Sequence, residues 1–209
     1  MNWIDAIGEL PLIAIVRGIE PEQAAAVAEA LFESGFRVVE VPLNSPRPFA
    51  SIETMRKTLK GRAIVGAGTV LTIDQVRDAH AAGAELIVAP NTSASVIRTA
   101  RDFGLTVLPG FFTPSEAFAA LDAGADALKL FPADALGPAG LKGVLAVLPR
   151  GTQVFPVGGI EPTTMDRYRS AGAAGFGIGS SLFRPGASVD DVRAAARAFV
   201  QAWRQLPNV

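Results

Sequence analysis

Three charged residues interrupt apolar runs, where a charge is costly to bury, and their types fit one chemistry. Lys129 lies within Ala127-Leu128-Lys129-Leu130-Phe131-Pro132, Glu40 within Val38-Val39-Glu40-Val41-Pro42, and Arg17 follows Ile15-Val16. A lysine flanked by leucines in a strand has poor access to water. Desolvation disfavours its charged form, and the neutral amine is a nucleophile. Imine formation with a ketone needs such an amine. A buried glutamate near it is suited to act as a general acid or base. An arginine at a strand end is suited to clamp a carboxylate or phosphate with both arms of its fork, and a second cation near the lysine helps keep the amine neutral. Each residue also has a plainer reading. The lysine snorkels out of the strand, the glutamate is a buried partner for a cation, and the arginine is a solvated strand end.

The elements that must position these residues form a regular series. Short Val/Ile-rich runs cover 11–17, 37–43, 63–70, 85–90, 106–110, 127–132, 153–159 and 175–180. Near-continuous apolar strands indicate a parallel sheet covered on both faces. Pro21-Glu22, Pro46, Asp74, Pro114-Ser115-Glu116 and Pro162-Thr163 read as helix starts. Glu33-Ser34-Gly35, Ala82-Gly83, Ala123-Gly124 and Ala171-Gly172 read as helix ends, each followed within a few residues by the next strand. A βα unit repeated about eight times at roughly 25-residue intervals is most economically closed as a (βα)8 barrel. An α/β single-domain TIM barrel over residues 1–209 is therefore expected, with a short helix from Trp3 to Leu10 capping its bottom. An open doubly wound sheet is the alternative. It requires a dinucleotide fingerprint after the first strand, and Arg17-Gly18-Ile19-Glu20-Pro21 is not one.

In such a barrel alternate strand residues point inward, and the active site lies at the C-terminal strand ends. Lys129 and Phe131 then face the lumen, while Leu128 and Leu130 face the helices. Glu40 shares a face with Val38 and Pro42. The turns after the last two strands hold Gly158-Gly159 and Gly179-Ser180. At those positions backbone N–H groups are suited to hold a phosphate. Gly66-Ala67-Gly68-Thr69 closes the third strand and offers the Thr69 hydroxyl to a substrate. His80 lies between alanines and reads as a bland helical residue. Asp134 follows Phe131-Pro132-Ala133 near the barrel mouth and receives no role.

Composition narrows the classes. The chain has 209 residues, 49% of them hydrophobic, which excludes a disordered chain. Its 19 basic and 20 acidic residues leave a net charge of −1, against the basic surplus of a nucleic-acid binder. Without cysteine there is no thiolate chemistry, disulfide or Cys-ligated zinc. A single histidine cannot assemble the histidine cluster of a zinc aldolase. No apolar run approaches the roughly 20 residues of a membrane span, and the first residues lack the pattern of a signal peptide. The expected compartment is the cytoplasm.

Glu40 within Val-Glu-Val-Pro-Leu-Asn-Ser-Pro, Gly66-Ala67-Gly68-Thr69-Val70, Lys129 within Leu-Lys-Leu-Phe-Pro-Ala, Val157-Gly158-Gly159 and Gly179-Ser180 occur together and in order. In this combination the chain resembles the class I aldolases that cleave 2-keto-3-deoxy-6-phospho sugar acids. The resemblance implies an imine on Lys129 and acid–base work by Glu40. It also implies substrate contacts from Arg17, Thr69, Phe131, Gly158, Gly159, Gly179 and Ser180. It further implies a homotrimer with no metal or organic cofactor, acting on a phosphorylated sugar acid to give pyruvate and glyceraldehyde 3-phosphate. Two branches of the family differ in the C4 epimer they take. The gluconate branch tends to carry Thr-Leu-Arg after the glutamate and Thr-Gly-Gly at the seventh strand. This chain has Pro42-Leu43-Asn44 and Val157-Gly158-Gly159, and so resembles the galactonate branch, with Arg17 taking over part of the anchoring. A sugar-phosphate isomerase or epimerase barrel, and a barrel that only senses a sugar phosphate, are the rival readings. The isomerase needs an acid/base pair but no imine, so the mid-strand lysine counts against it, and the sensor has no need to bury Lys129 and Glu40 together.

Overall fold

The computed structural model describes residues 1–206. Its strands are β1 (Leu12–Ile15), β2 (Val38–Pro42), β3 (Ile64–Gly68), β4 (Leu86–Val88), β5 (Thr106–Leu108), β6 (Gly110–Phe111), β7 (Leu128–Leu130), β8 (Val154–Pro156) and β9 (Phe176–Ile178). The helices are α1 (Trp3–Glu9), α2 (Pro21–Glu33), α3 (Pro48–Leu59), α4 (Ile73–Ala81), α5 (Ala94–Asp102), α6 (Pro114–Asp122), α7 (Ala133–Leu145), α8 (Met165–Ser170) and α9 (Val189–Gln205). The strands pair in parallel in the orders β5-β4-β3-β2-β1-β9 and β6-β7-β8. A parallel bridge between Val157 and Gly177 joins β8 to β9, and the 106–111 segment runs from one sheet into the other. The ring is thereby closed as a (βα)8 barrel.

Nine strand segments stand where eight were expected, because the fifth run is broken at Pro109. Proline has no N–H to give to a ladder. Its carbonyl still accepts from the Lys129 N–H at 2.9 Å, so the chain stays in the wall. Two helical expectations also need correction. The helix expected from Pro46 begins at Pro48, after Arg47 in the left-handed region (φ 40°). The helix signalled by Pro162-Thr163 begins at Met165. α7 is kinked at Gly137 (φ 72°, ψ 172°), because Pro138 disfavours helical backbone in the residue before it.

The barrel has two separate apolar cores. The shell core lies between strands and helices and contains Val39, Val41, Leu128 and Leu130. The lumen core contains Ile13, Val38, Ile64, Leu86, Val88, Leu108, Ala127 and Phe155. α1 plugs the lumen from below. Asn2 caps it by accepting from the Asp5 N–H at 2.9 Å, and Trp3 packs its ring on Phe155 at 5.6 Å between centroids. Strand alternation thus places Leu128 and Leu130 on the outside and leaves Lys129 facing in, above an apolar floor.

Candidate active site

Lys129 and Glu40 are both almost completely buried, at 4% and 2% exposure. Lys129 stands in β7 between Gly110 of β6 and Phe155 of β8. Its Nζ lies 5.0 Å from the centre of the Phe131 ring. Glu40 stands in β2 between Ile15 of β1 and Gly66 of β3. Its carboxylate fills the volume that a side chain at position 68 would take. A Cβ on Gly68 would fall 1.5 Å from Glu40 Oε2. That oxygen has no hydrogen-bond partner, an unusual state for a buried polar atom and a costly one.

The electrostatics follow from this burial. Desolvation is the largest influence on both groups, holding the Lys129 pKa down and the Glu40 pKa up. Their mutual attraction acts the other way on each. Arg17 lowers both, favouring the neutral amine and the ionised carboxylate. Burial thus draws Lys129 toward the neutral amine that nucleophilic attack requires and raises the pH at which Glu40 gives up its proton.

Above the pair opens a cavity of about 620 Å³ at the C-terminal strand ends. Eight of the nine residues singled out in the sequence line it: Arg17, Thr69, Lys129, Phe131, Gly158, Gly159, Gly179 and Ser180. Glu40, the ninth, does not reach the cavity wall and lies behind it against Gly68. Arg17 donates from Nη1 to Asn44 Oδ1 at 2.5 Å, so the turn after β2 aims the guanidinium that follows β1. Thr69 adopts a positive φ of 57°, a strained conformation for a β-branched residue that costs on the order of 1–3 kcal/mol. Gly158 and Gly159 have φ of 108° and 65°, which residues with a Cβ rarely take. The N–H groups of Gly159 and Ser180 find no acceptor among the described residues. They remain available to an anion.

A Cβ built on Gly179 meets nothing within 4 Å. Gly179→Val is therefore expected to fold normally yet intrude into the space beside these N–H groups. Its KM for a phosphorylated ligand should rise at least tenfold and that for pyruvate far less. Equal effects on both, measured by steady-state kinetics, would remove the anion site from this turn.

Some cavity residues received no role from the sequence. Ser181 donates to the Ile160 carbonyl at 2.7 Å and ties the turn after β9 to the turn after β8. Glu161 and Arg184 also line the mouth. All three sit in turns rather than strands, where a polar residue is ordinary and carries no signal. Asp134 packs against Gly158 and Gly159, its Cβ 2.8 Å from where a Cβ of Gly159 would stand. His80, away from the cavity, stacks on Phe103 at 4.7 Å. Among the described residues, no cluster of three or more His, Asp or Glu is placed to hold a metal.

Residues 4–196 match the family model "Aldolase: KDPG and KHG aldolase". The chain belongs to this family. The aldolase is 48% identical over 195 residues to a Rhizobium meliloti protein named probable 2-dehydro-3-deoxy-6-phosphogalactonate aldolase, covering 93% of this chain and 92% of that one. It is 48% identical over 197 residues to the Escherichia coli 2-dehydro-3-deoxy-6-phosphogalactonate aldolase, covering 94% and 96%. A solved structure described as native KDPGal superposes with a TM-score of 0.93 at 48% identity, over 94% of this chain and 96% of the other. A Zymomonas mobilis protein named 2-dehydro-3-deoxy-phosphogluconate aldolase is more distant, at 37% identity over 171 residues and 80% of each chain. As an aldolase the protein is a lyase, and no helix among its described residues is long and apolar enough to cross a membrane.

Proposed function

We propose that this aldolase cleaves 2-dehydro-3-deoxy-6-phosphogalactonate to pyruvate and D-glyceraldehyde 3-phosphate through an imine on Lys129. The observation that carries the reading is the buried Lys129–Glu40 pair beneath a cavity whose far wall offers unpaired backbone N–H groups. The galactonate epimer is supported by 48% identity to two relatives named for it, against 37% to the Zymomonas mobilis relative named for the gluconate derivative. It is supported also by Asn44 and Val157 at the two positions where the branches part.

In this mechanism the neutral Lys129 amine adds to the C2 ketone. The carbinolamine loses water to give the imine, with Glu40 relaying protons through a water because its carboxylate stands behind the cavity wall. The protonated imine draws in the electrons of the C3–C4 bond as the C4 hydroxyl proton passes to Glu40. Glyceraldehyde 3-phosphate leaves, the enamine takes a proton at C3, and hydrolysis releases pyruvate and the free amine. Covalent catalysis of this kind replaces one difficult step by several easier ones. Arg17, steadied by Asn44, is placed to hold the substrate carboxylate. Thr69 and Phe131 line the reacting end, while Gly158, Gly159, Gly179 and Ser180 receive the phosphate. We read the chain as one catalytic domain that assembles as a homotrimer. Phe112, just before α6, and Phe118, within it, are both exposed and supply apolar surface for that contact.

Borohydride reduction in the presence of pyruvate tests the chemistry. The expected result is a pyruvyl adduct on the peptide that carries Lys129, seen by intact mass and peptide mapping. Absence of an adduct from folded protein across several pH values sinks the imine reading and returns the isomerase reading to the front. A coupled assay with both C4 epimers then decides the branch.

A further inference from the structure

The cavity is lined by three basic residues, Arg17, Lys129 and Arg184. Two have tasks already. Lys129 is the nucleophile, and Arg17 is bound to Asn44 with its charge bearing on the Lys129–Glu40 pair, at the reacting end. Arg184 stands elsewhere. Its Nε donates to the Ser180 carbonyl at 2.9 Å, so the guanidinium is docked on the turn that carries Gly179 and Ser180. Nε is thereby used, and the two terminal nitrogens of the fork find no partner among the described residues. Arg47, Arg62, Arg101 and Arg193, by contrast, each pair with a carboxylate. The segment is also braced from behind. Pro185 packs so closely on the turn after β1 that a Cβ on Gly18 would lie 2.6 Å from Pro185 Cγ. Glu161 lines the same mouth and has no ion-pair partner among the described residues, so its field opposes any anion entering there. A dianion is better held if a cation offsets that field.

We propose that Arg184 is a substrate-binding residue whose terminal nitrogens bind the phosphate dianion alongside the N–H groups of Gly159 and Ser180. A planar fork with two free donors suits two phosphate oxygens. The inference rests on the proposed function, because it presumes that a phosphorylated aldehyde occupies this end of the cavity.

The test is steady-state condensation of pyruvate with glyceraldehyde 3-phosphate or with unphosphorylated glyceraldehyde, for the wild type, Arg184→Gln and Arg184→Lys, from about pH 5 to 8. Loss of a charge-assisted contact is expected to raise the glyceraldehyde 3-phosphate KM of Arg184→Gln about ten- to a hundredfold. The pyruvate KM should move far less, and Arg184→Lys should recover part of the loss. A phosphate monoester dianion takes up one proton near pH 6, becoming a monoanion. The wild-type KM for glyceraldehyde 3-phosphate should therefore climb as pH falls through about 6, and in Arg184→Gln that climb should flatten. A KM raised by the same factor at every pH assigns Arg184 to shaping the turn and overturns direct contact. A wild-type preference for the phosphorylated aldehyde that Arg184→Gln retains in full overturns the proposal alone. Equal wild-type KM values for the two aldehydes overturn the phosphate reading and this role with it.

Discussion

Lys129→Met is expected to give a folded barrel with no measurable aldol cleavage and no borohydride-trapped pyruvate. Methionine keeps most of the buried volume, so the change removes the amine without opening a large hole in the wall of β7. Lys129→Arg is expected to be equally inactive. A guanidinium stays protonated and cannot add to a ketone, whatever its surroundings. The pair of variants separates nucleophile from charge. Circular dichroism and thermal melting establish that each is folded, and a lactate dehydrogenase-coupled assay reads pyruvate release. Turnover near the wild-type rate in either variant would place the nucleophile elsewhere.

Glu40→Gln should lower kcat by on the order of 10²- to 10⁴-fold, the usual worth of a positioned acid or base. The shape of the loss matters as much as its size. Imine formation needs neutral Lys129, so trapping by pyruvate weakens as pH falls and the amine gains its proton. Glu40 is the group whose attraction holds the Lys129 pKa up against burial. With glutamine in its place that support is gone and the Lys129 pKa falls further. The acid limb of the trapping profile is therefore expected to move to lower pH in Glu40→Gln while turnover drops. An unmoved limb would mean that Glu40 already carries a proton where Lys129 titrates. A near-normal kcat would end its role as proton shuttle.

Much of this site was legible in the sequence because strands impose a period of two. Lys129 between two leucines and Glu40 between two valines break an apolar pattern that the shell core enforces, and the break points inward. The helix-closing glycines marked the repeat, and the repeat implied the ring. What escaped notice has physical reasons. The split at Pro109 depends on where a ladder passes from one neighbour to the next, which no local pattern records. The late start of the helix at Met165 reflects a turn in which the Thr164 hydroxyl accepts from the Glu161 N–H, and the kink at Gly137 follows from Pro138. Ser181 acts through the Ile160 carbonyl of another turn, so its meaning exists only once Ile160 has been brought near, and Arg184 meets the Ser180 carbonyl only because the turn between them folds back. The position of Glu40 behind the cavity wall, rather than on it, also could not be read from alternation. Alternation gives a face and not a depth.

Gly68 bears on how such enzymes change over generations. The carboxylate of Glu40 occupies room that exists only because position 68 has no side chain. Alanine there looks like the mildest of changes, and it would compete with the glutamate for the same space. A lineage would then lose the proposed proton relay while both charged residues of the pair stay in the sequence. A survey that checks only for the lysine and the glutamate would count such a descendant as active. The heritable unit of this chemistry is three residues, and one of them contributes by being empty.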